Sequence, residues 1–209
     1  MRTLTRRVAA LAVVSTLSLA GCGGSDGDSD DTPDAKASSA TKDAPDDSAD
    51  DDAPATGTLP ATGDVITADG FSFKAPAGWT DAKDAFPSAA AVAANRQDTD
   101  GFSDNINVIS DPTVVGADLD ALESSAEKVL TGADAKDVEV EDPYEIDGEE
   151  AARISAVLEQ SGVKYHTEQF AVDHDGKGYV VTFSFSDSVS DDDRDKLAES
   201  VIATWKWSK

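Results

Sequence analysis

His166 and Glu168 are the pair of residues in this chain whose types and spacing most invite chemistry. They lie in KYHTEQFAVDH, residues 164–174, whose alternation of polar and apolar residues reads as a strand. At a period of two, Lys164, His166 and Glu168 share a face. A carboxylate beside an imidazole can orient it for proton transfer or complete part of a metal site. The same spacing also suits a strand end whose polar residues face water, and both readings stand at this stage. His174, the other histidine, adjoins Asp175-Gly176 and reads as a turn residue. Trp79, Trp205 and Trp207 either line an apolar groove or pack in the core and its rim. Trp79 and Trp205 join His166 and Glu168 as candidate binding residues.

Clustered acids raise a second kind of chemistry, calcium binding. Asp50-Asp51-Asp52, the loop DTDGFSD at 98–104 and SDDDRD at 190–195 all present carboxylates. None has the Gly-turned loop with a terminal Glu that a tight calcium site uses. Asp98, Asp100 and Asp104 also suit a solvated loop, and 190–195 also suits the positive end of a helix. No phosphate loop, dinucleotide fingerprint or zinc-protease helix occurs, so neither an enzyme nor a bound cofactor is expected. An extracytoplasmic hydrolase or transferase built on His166 and Glu168, or a calcium-dependent adhesion domain, is the alternative.

Cys22 is the chain's single cysteine. It follows a basic start, MRTLTRR, an apolar run from Val8 to Leu19, and the sequence Leu19-Ala20-Gly21-Cys22. The run is too short to cross a bilayer, which takes roughly 20 residues. Its order is that of a secretory signal, and Leu-Ala-Gly-Cys matches the bacterial lipobox, where the thiol receives a diacylglyceryl group and the chain is cut just before it. Cys22 is therefore read as a lipidation site, with 1–21 a signal peptide. Two acyl chains, at about 0.8 kcal/mol per buried methylene, make such an anchor lasting. With that thiol consumed, a disulfide or thiolate metal site within the mature chain is excluded. Arg6-Arg7 leaves the twin-arginine export route open beside the general secretory one.

Charge narrows the partners further. The chain carries 17 Lys+Arg against 42 Asp+Glu, a formal net charge of -25, distributed as +3 over 1–22, -9 over 23–63 and -19 over 64–209. Such a surface repels phosphate backbones, so nucleic acid is not an expected partner. Attraction to anionic headgroups is equally disfavoured, which leaves the lipid on Cys22 as the means of membrane attachment. Residues 23–63 hold Gly, Ser, Asp, Ala, Pro and Thr with no large apolar residue before Leu59, and they read as a disordered tether, with 22–63 taken as one unit. The expected location is the extracytoplasmic face of a bacterial cell membrane.

These candidates must be positioned by one domain, 64–209, large enough for one core. GFSFKAPAGW, 70–79, reads as a strand and turn; 90–97 reads as a strand with helix as the alternative; NINVIS, 105–110, reads as a strand. Residues 118–132 form an amphipathic helix, with Asp118 or Asp120 as its cap and Gly132 as its stop. Two hairpins follow. In the first, Val138 and Val140 are to share a face with Ile154, Ala156 and Leu158, which demands a three-residue loop or a bulge at Asp147-Gly148-Glu149. In the second, Asp175-Gly176 is a two-residue turn that sets His174 opposite Lys177, Phe170 opposite Val181 and His166 opposite Phe185. A last helix runs from Asp191 to Thr204, capped by Ser190, and Trp205 to Trp207 form a terminal extended stretch. The sum is an α+β domain on a mostly antiparallel sheet of about six to seven strands flanked by helices.

FSFKAPAGW, the mid-chain hairpins and KLAESVIATWKW after an acid-capped helix resemble the Mog1/PsbP-like fold. With the lipobox and tether, the chain is similar to the LpqN/LpqT-type lipoproteins of actinobacteria. The resemblance implies an antiparallel sheet flanked by helices and a binding or assembly role, with no shared catalytic residue to carry over. The domain is expected to be monomeric and to bind a protein or envelope component.

Overall fold

The computed structural model describes residues 58–208. The expected signal segment, Cys22, the Asp50–Asp52 cluster and the expected tether up to 57 lie outside the described residues. Residues 58–63, expected to end the tether, belong to the packed body: Ala61 is buried, and its N–H donates to the Ser200 carbonyl at 2.8 Å.

Ten strands and two α-helices follow in order: β1 (Val65–Ala68), β2 (Phe71–Lys74), β3 (Thr80–Asp81), β4 (Ala91–Ala94), β5 (Asn105–Ser110), α1 (Leu119–Gly132), β6 (Lys136–Ile146), β7 (Glu149–Gln160), β8 (Val163–His174), β9 (Lys177–Ser186), α2 (Asp191–Ile202) and β10 (Lys206–Trp207). Seven strands form one antiparallel sheet in the order β3-β4-β5-β9-β8-β7-β6, and β1-β2-β10 form a second, also antiparallel. The domain is α+β, as its pattern of strands and helices predicts. Residues 91–94 are strand, all four buried, because tertiary pairing with β5 outweighs the helix preference of alanine.

Alternation along β9 shapes the interior. Tyr179, Val181, Phe183 and Phe185 point to one side, where they meet Phe170 and Val172 of β8, Phe71 and Phe73 of β2, and Ala198, Val201 and Ile202 of α2. Trp205 is stacked at 4.7 Å on Phe71 and 5.2 Å on Phe73. Val180 points to the other side, where α1 lays Leu122 over Ala152. Further along α1, Leu130 covers Ile154, Ala156 and Leu158. The sheet is thus buried on both faces by helices that lie on opposite sides of it.

Two local details depart from the sequence reading. Helix α1 runs through Gly132, and the left-handed residue after its end is Asp134, φ 62°. The β6–β7 turn is a two-residue one, with Ile146 opposite Glu149 and both Asp147 (φ 47°) and Gly148 (φ 89°) left-handed. The bulge that restores the facing of Val140 opposite Ile154 lies further along β6, between Glu141 and Tyr144, where Pro143 cannot donate to the ladder.

Candidate functional site

Arg153 of β7 and Glu168 of β8 form the floor of a groove on the aromatic face of the large sheet, beyond the part that α2 and the small sheet cover. Their pairing follows from register. Ser161 and Gly162, both left-handed, close a two-residue turn that sets Gln160 opposite Val163, and hence Ser155 opposite Glu168 and Arg153 opposite Phe170. Arg153 and Glu168 are diagonal neighbours on one face, within reach of long side chains. On the far side β6 sets Glu141 opposite Arg153 and Glu139 opposite Ser155. From above, the first turns of α2 bring down Asp191, Arg194 and Asp195. The hollow between these walls has a volume of about 380 Å³.

Arg153 Nε donates to Glu168 Oε1 at 2.5 Å, and Nη2 donates to Asp195 Oδ1 at 2.9 Å, so one guanidinium ties helix to sheet. Its Cζ also lies 5.7 Å from the centre of the Phe170 ring. Glu168 is 5% exposed. Burial pushes its carboxyl up to about 7; the Arg153 charge opposes this, while Asp195 and Glu141 add to it. Glu141 is occupied by the Ser155 hydroxyl, which donates to it at 2.7 Å.

His166 lines the same groove without touching Glu168 in any hydrogen bond. Its Nε2 meets Asp187 Oδ1 at 2.9 Å, and Lys164 Nζ reaches the same oxygen at 2.8 Å. The Lys164 ammonium, then His166, holds the Asp187 carboxyl below the usual range. The structure thus brings His166 and Glu168 into one groove but gives each a different partner. His174 lies elsewhere, with Nδ1 2.9 Å from Glu149 Oε1 and its ring stacked 4.5 Å from Trp207. Trp79 and Trp205, candidate groove residues by sequence, are 6% and 1% exposed and belong to the main core. Their area is spent on packing the small sheet and α2 against the large one.

The loop of Asp98, Asp100 and Asp104 closes on β9. Asp104 Oδ1 accepts from the Ser186 N–H at 2.7 Å, and Asp100 accepts from Ser188 Oγ at 2.8 Å. Burial, with smaller repulsion from Asp98 and Asp100, pushes Asp104 up to about 6. Among the described residues no group of three or more His, Cys, Asp or Glu is arranged to hold a metal ion. Among the described residues there is also a hollow of about 210 Å³ under α1, walled by Ala152, Ala171 and Leu122, and one of about 530 Å³ beside Lys83, Lys177 and Tyr179. Neither has a buried ion pair in its floor.

Arg153, Glu141 and Asp195 were not legible as site residues from spacing alone. The Ser161-Gly162 turn is the signal that would have found Arg153, because it fixes the β7–β8 register.

No family model matches the sequence, and no curated protein matches it. Several solved structures are similar in part. Cyanobacterial PsbP from Synechocystis sp. PCC 6803 is 20% identical, with 67% of this chain and 88% of that one covered, at a TM-score of 0.48. LpqN of Mycobacterium tuberculosis, described as involved in cell envelope biogenesis, is 12% identical over 66% and 83%, at 0.45. A protein of Bacteroides thetaiotaomicron VPI-5482 is 17% identical over 66% of this chain, at 0.45, and this chain spans only 45% of that one.

Proposed function

We propose that this chain is a lipoprotein of the LpqN/LpqT type with a Mog1/PsbP-like domain, lipidated on Cys22 and held at the extracytoplasmic face of a bacterial cell membrane. Its domain binds a protein or envelope component there and performs no catalysis. The carrying observation is Leu19-Ala20-Gly21-Cys22 at the end of a signal-like run, followed at once by an acidic polar stretch. The groove supports binding over catalysis: Glu168 is tied to Arg153 and His166 to Asp187, so the two are not coupled for proton transfer.

Fractionation tests the anchor. The wild-type chain is expected in the membrane fraction and Cys22→Ala in the soluble one; a Cys22→Ala protein that still fractionates wholly with membranes overturns the reading. Cross-linking on intact cells with mass spectrometry tests the module, with a reproducible partner on residues of the folded domain as the expected result. Absence of any such partner counts against it.

A further inference from the structure

The groove between α2 and β6–β7 is short of positive charge. Six carboxylates line it, against the guanidiniums of Arg153 and Arg194. Arg194 is taken up by Asp191 and the Val189 carbonyl. Arg153 alone faces Glu168, Asp195 and Glu141. Glu168, almost wholly buried, offers only Oε1 to Arg153; no described residue donates to its Oε2. The side chains of Asp137 and Glu139, on the β6 wall, make no hydrogen bond or ion pair within the described residues. Among the described residues the buried side-chain atoms without a hydrogen-bond partner are Asn107 Oδ1 and Trp205 Nε1, so Glu168 Oε2 keeps an opening to the groove, where a cationic donor from outside can reach it.

We propose that this groove receives a lysine or arginine side chain of a partner protein, its charged head against Glu168 and the β6 carboxylates. The inference rests on the binding-module reading and names the chemistry of the partner. Val157, on the same face as Arg153 and Ser155, also lines the groove and supplies apolar surface for the methylene stem. A volume of about 380 Å³ suits such a side chain far better than a single ion, since one water occupies about 30 Å³. A second copy of this chain is a poor occupant. β6 carries Asp137, Glu139, Glu141, Asp142 and Glu145 against Lys136, so like edges repel, and its two bulges interrupt pairing.

The test is an amide NMR titration, at low ionic strength, with capped hexapeptides carrying two arginines, two lysines or two glutamines. The arginine and lysine peptides are expected to shift amides of residues 139–141, 153–155 and 166–168, and the glutamine peptide none. Glu168→Gln should weaken binding about tenfold, whereas Glu127→Gln, an equal loss of charge on exposed α1, should change it less than twofold. Should Glu168→Gln fail to fold, the double variant Glu139→Gln/Glu141→Gln is expected to give a similar loss. Equal weakening by the groove and α1 variants, or shifts spread over the whole acidic surface, overturns the proposal in favour of diffuse attraction. Groove shifts produced by calcium chloride but not by the peptides overturn it too. Cross-links to a partner elsewhere on the domain, without peptide binding, would remove the groove proposal and leave the anchored module standing.

Discussion

Glu168 and Asp104 are buried carboxyls held at about 7 and about 6, in both cases chiefly because burial disfavours the charge. Below about pH 4 such groups are protonated in the folded and the unfolded chain alike, and their burial carries no charge penalty. As pH rises through about 6 and then about 7, the folded state must give up protons that the unfolded chain lost earlier, so stability falls. Glu168 is faced by Arg153, Asp195 and Glu141, and Asp104 by Asp98 and Asp100, with no cation on the latter. The melting temperature should therefore be higher at pH 5 than at pH 8, with Glu168→Gln flattening the upper half of that slope. A melting temperature level across this range, or an unchanged slope in the variant, contradicts the assignment. Asp100, Asp147 and Asp187 have lowered values and act in the opposite sense only at more acidic pH. The sequence marked Glu168 through its alternation with His166. Its burial was not legible, because the covering residues Asp195 and Arg153 come from an element 27 residues later and from a register that needed the Ser161-Gly162 turn.

Turns and caps decided which elements could be read ahead. The β8–β9 register, from His174 opposite Lys177 to His166 opposite Phe185, follows directly from Asp175-Gly176, and the structure has that register throughout. The β6–β7 pair was harder, since the nearer of its two bulges sits at Asp142-Pro143 and not at the turn; valine facing required a bulge but did not locate it. At the N-terminus of α2, the Ser190 side chain accepts from the Asp193 N–H, and Ser190→Ala is expected to cost about 1 kcal/mol in denaturant unfolding. Asp191, Asp192 and Asp193 in the first turn remain favourable to the helix and limit the loss. Gly178 of β9 is a more severe position. A Cβ there would overlap the Asp111 carbonyl oxygen and lie 2.7 Å from the Val114 Cβ, both held by the turn that follows β5. Gly178→Ala should thus lower the melting temperature by more than Ser190→Ala does, and a variant as stable as the wild type would mean that this turn yields.

Across the whole domain, 64–209, the net charge of -19 sets repulsion against a modest set of ion pairs. Lys164–Asp187, Lys177–Asp69 and Lys206–Asp147 all involve side chains more than half exposed, and pairs of that kind contribute about 0–1 kcal/mol each. Repulsion is summed over many more carboxylate pairs, and salt screens it once the charges are separated by about 10 Å at 0.1 M. Arg153–Glu168 is buried enough to be screened little. Sodium chloride raised from 20 to 300 mM should consequently increase the melting temperature, even though it weakens the exposed pairs. Glu168→Gln should retain that increase, because the salt effect belongs to the surface and not to the groove. A decrease with salt would mean that the exposed pairs outweigh the repulsion, and the acidic balance would then have to be understood as selected for pairing instead of for receiving positive partners.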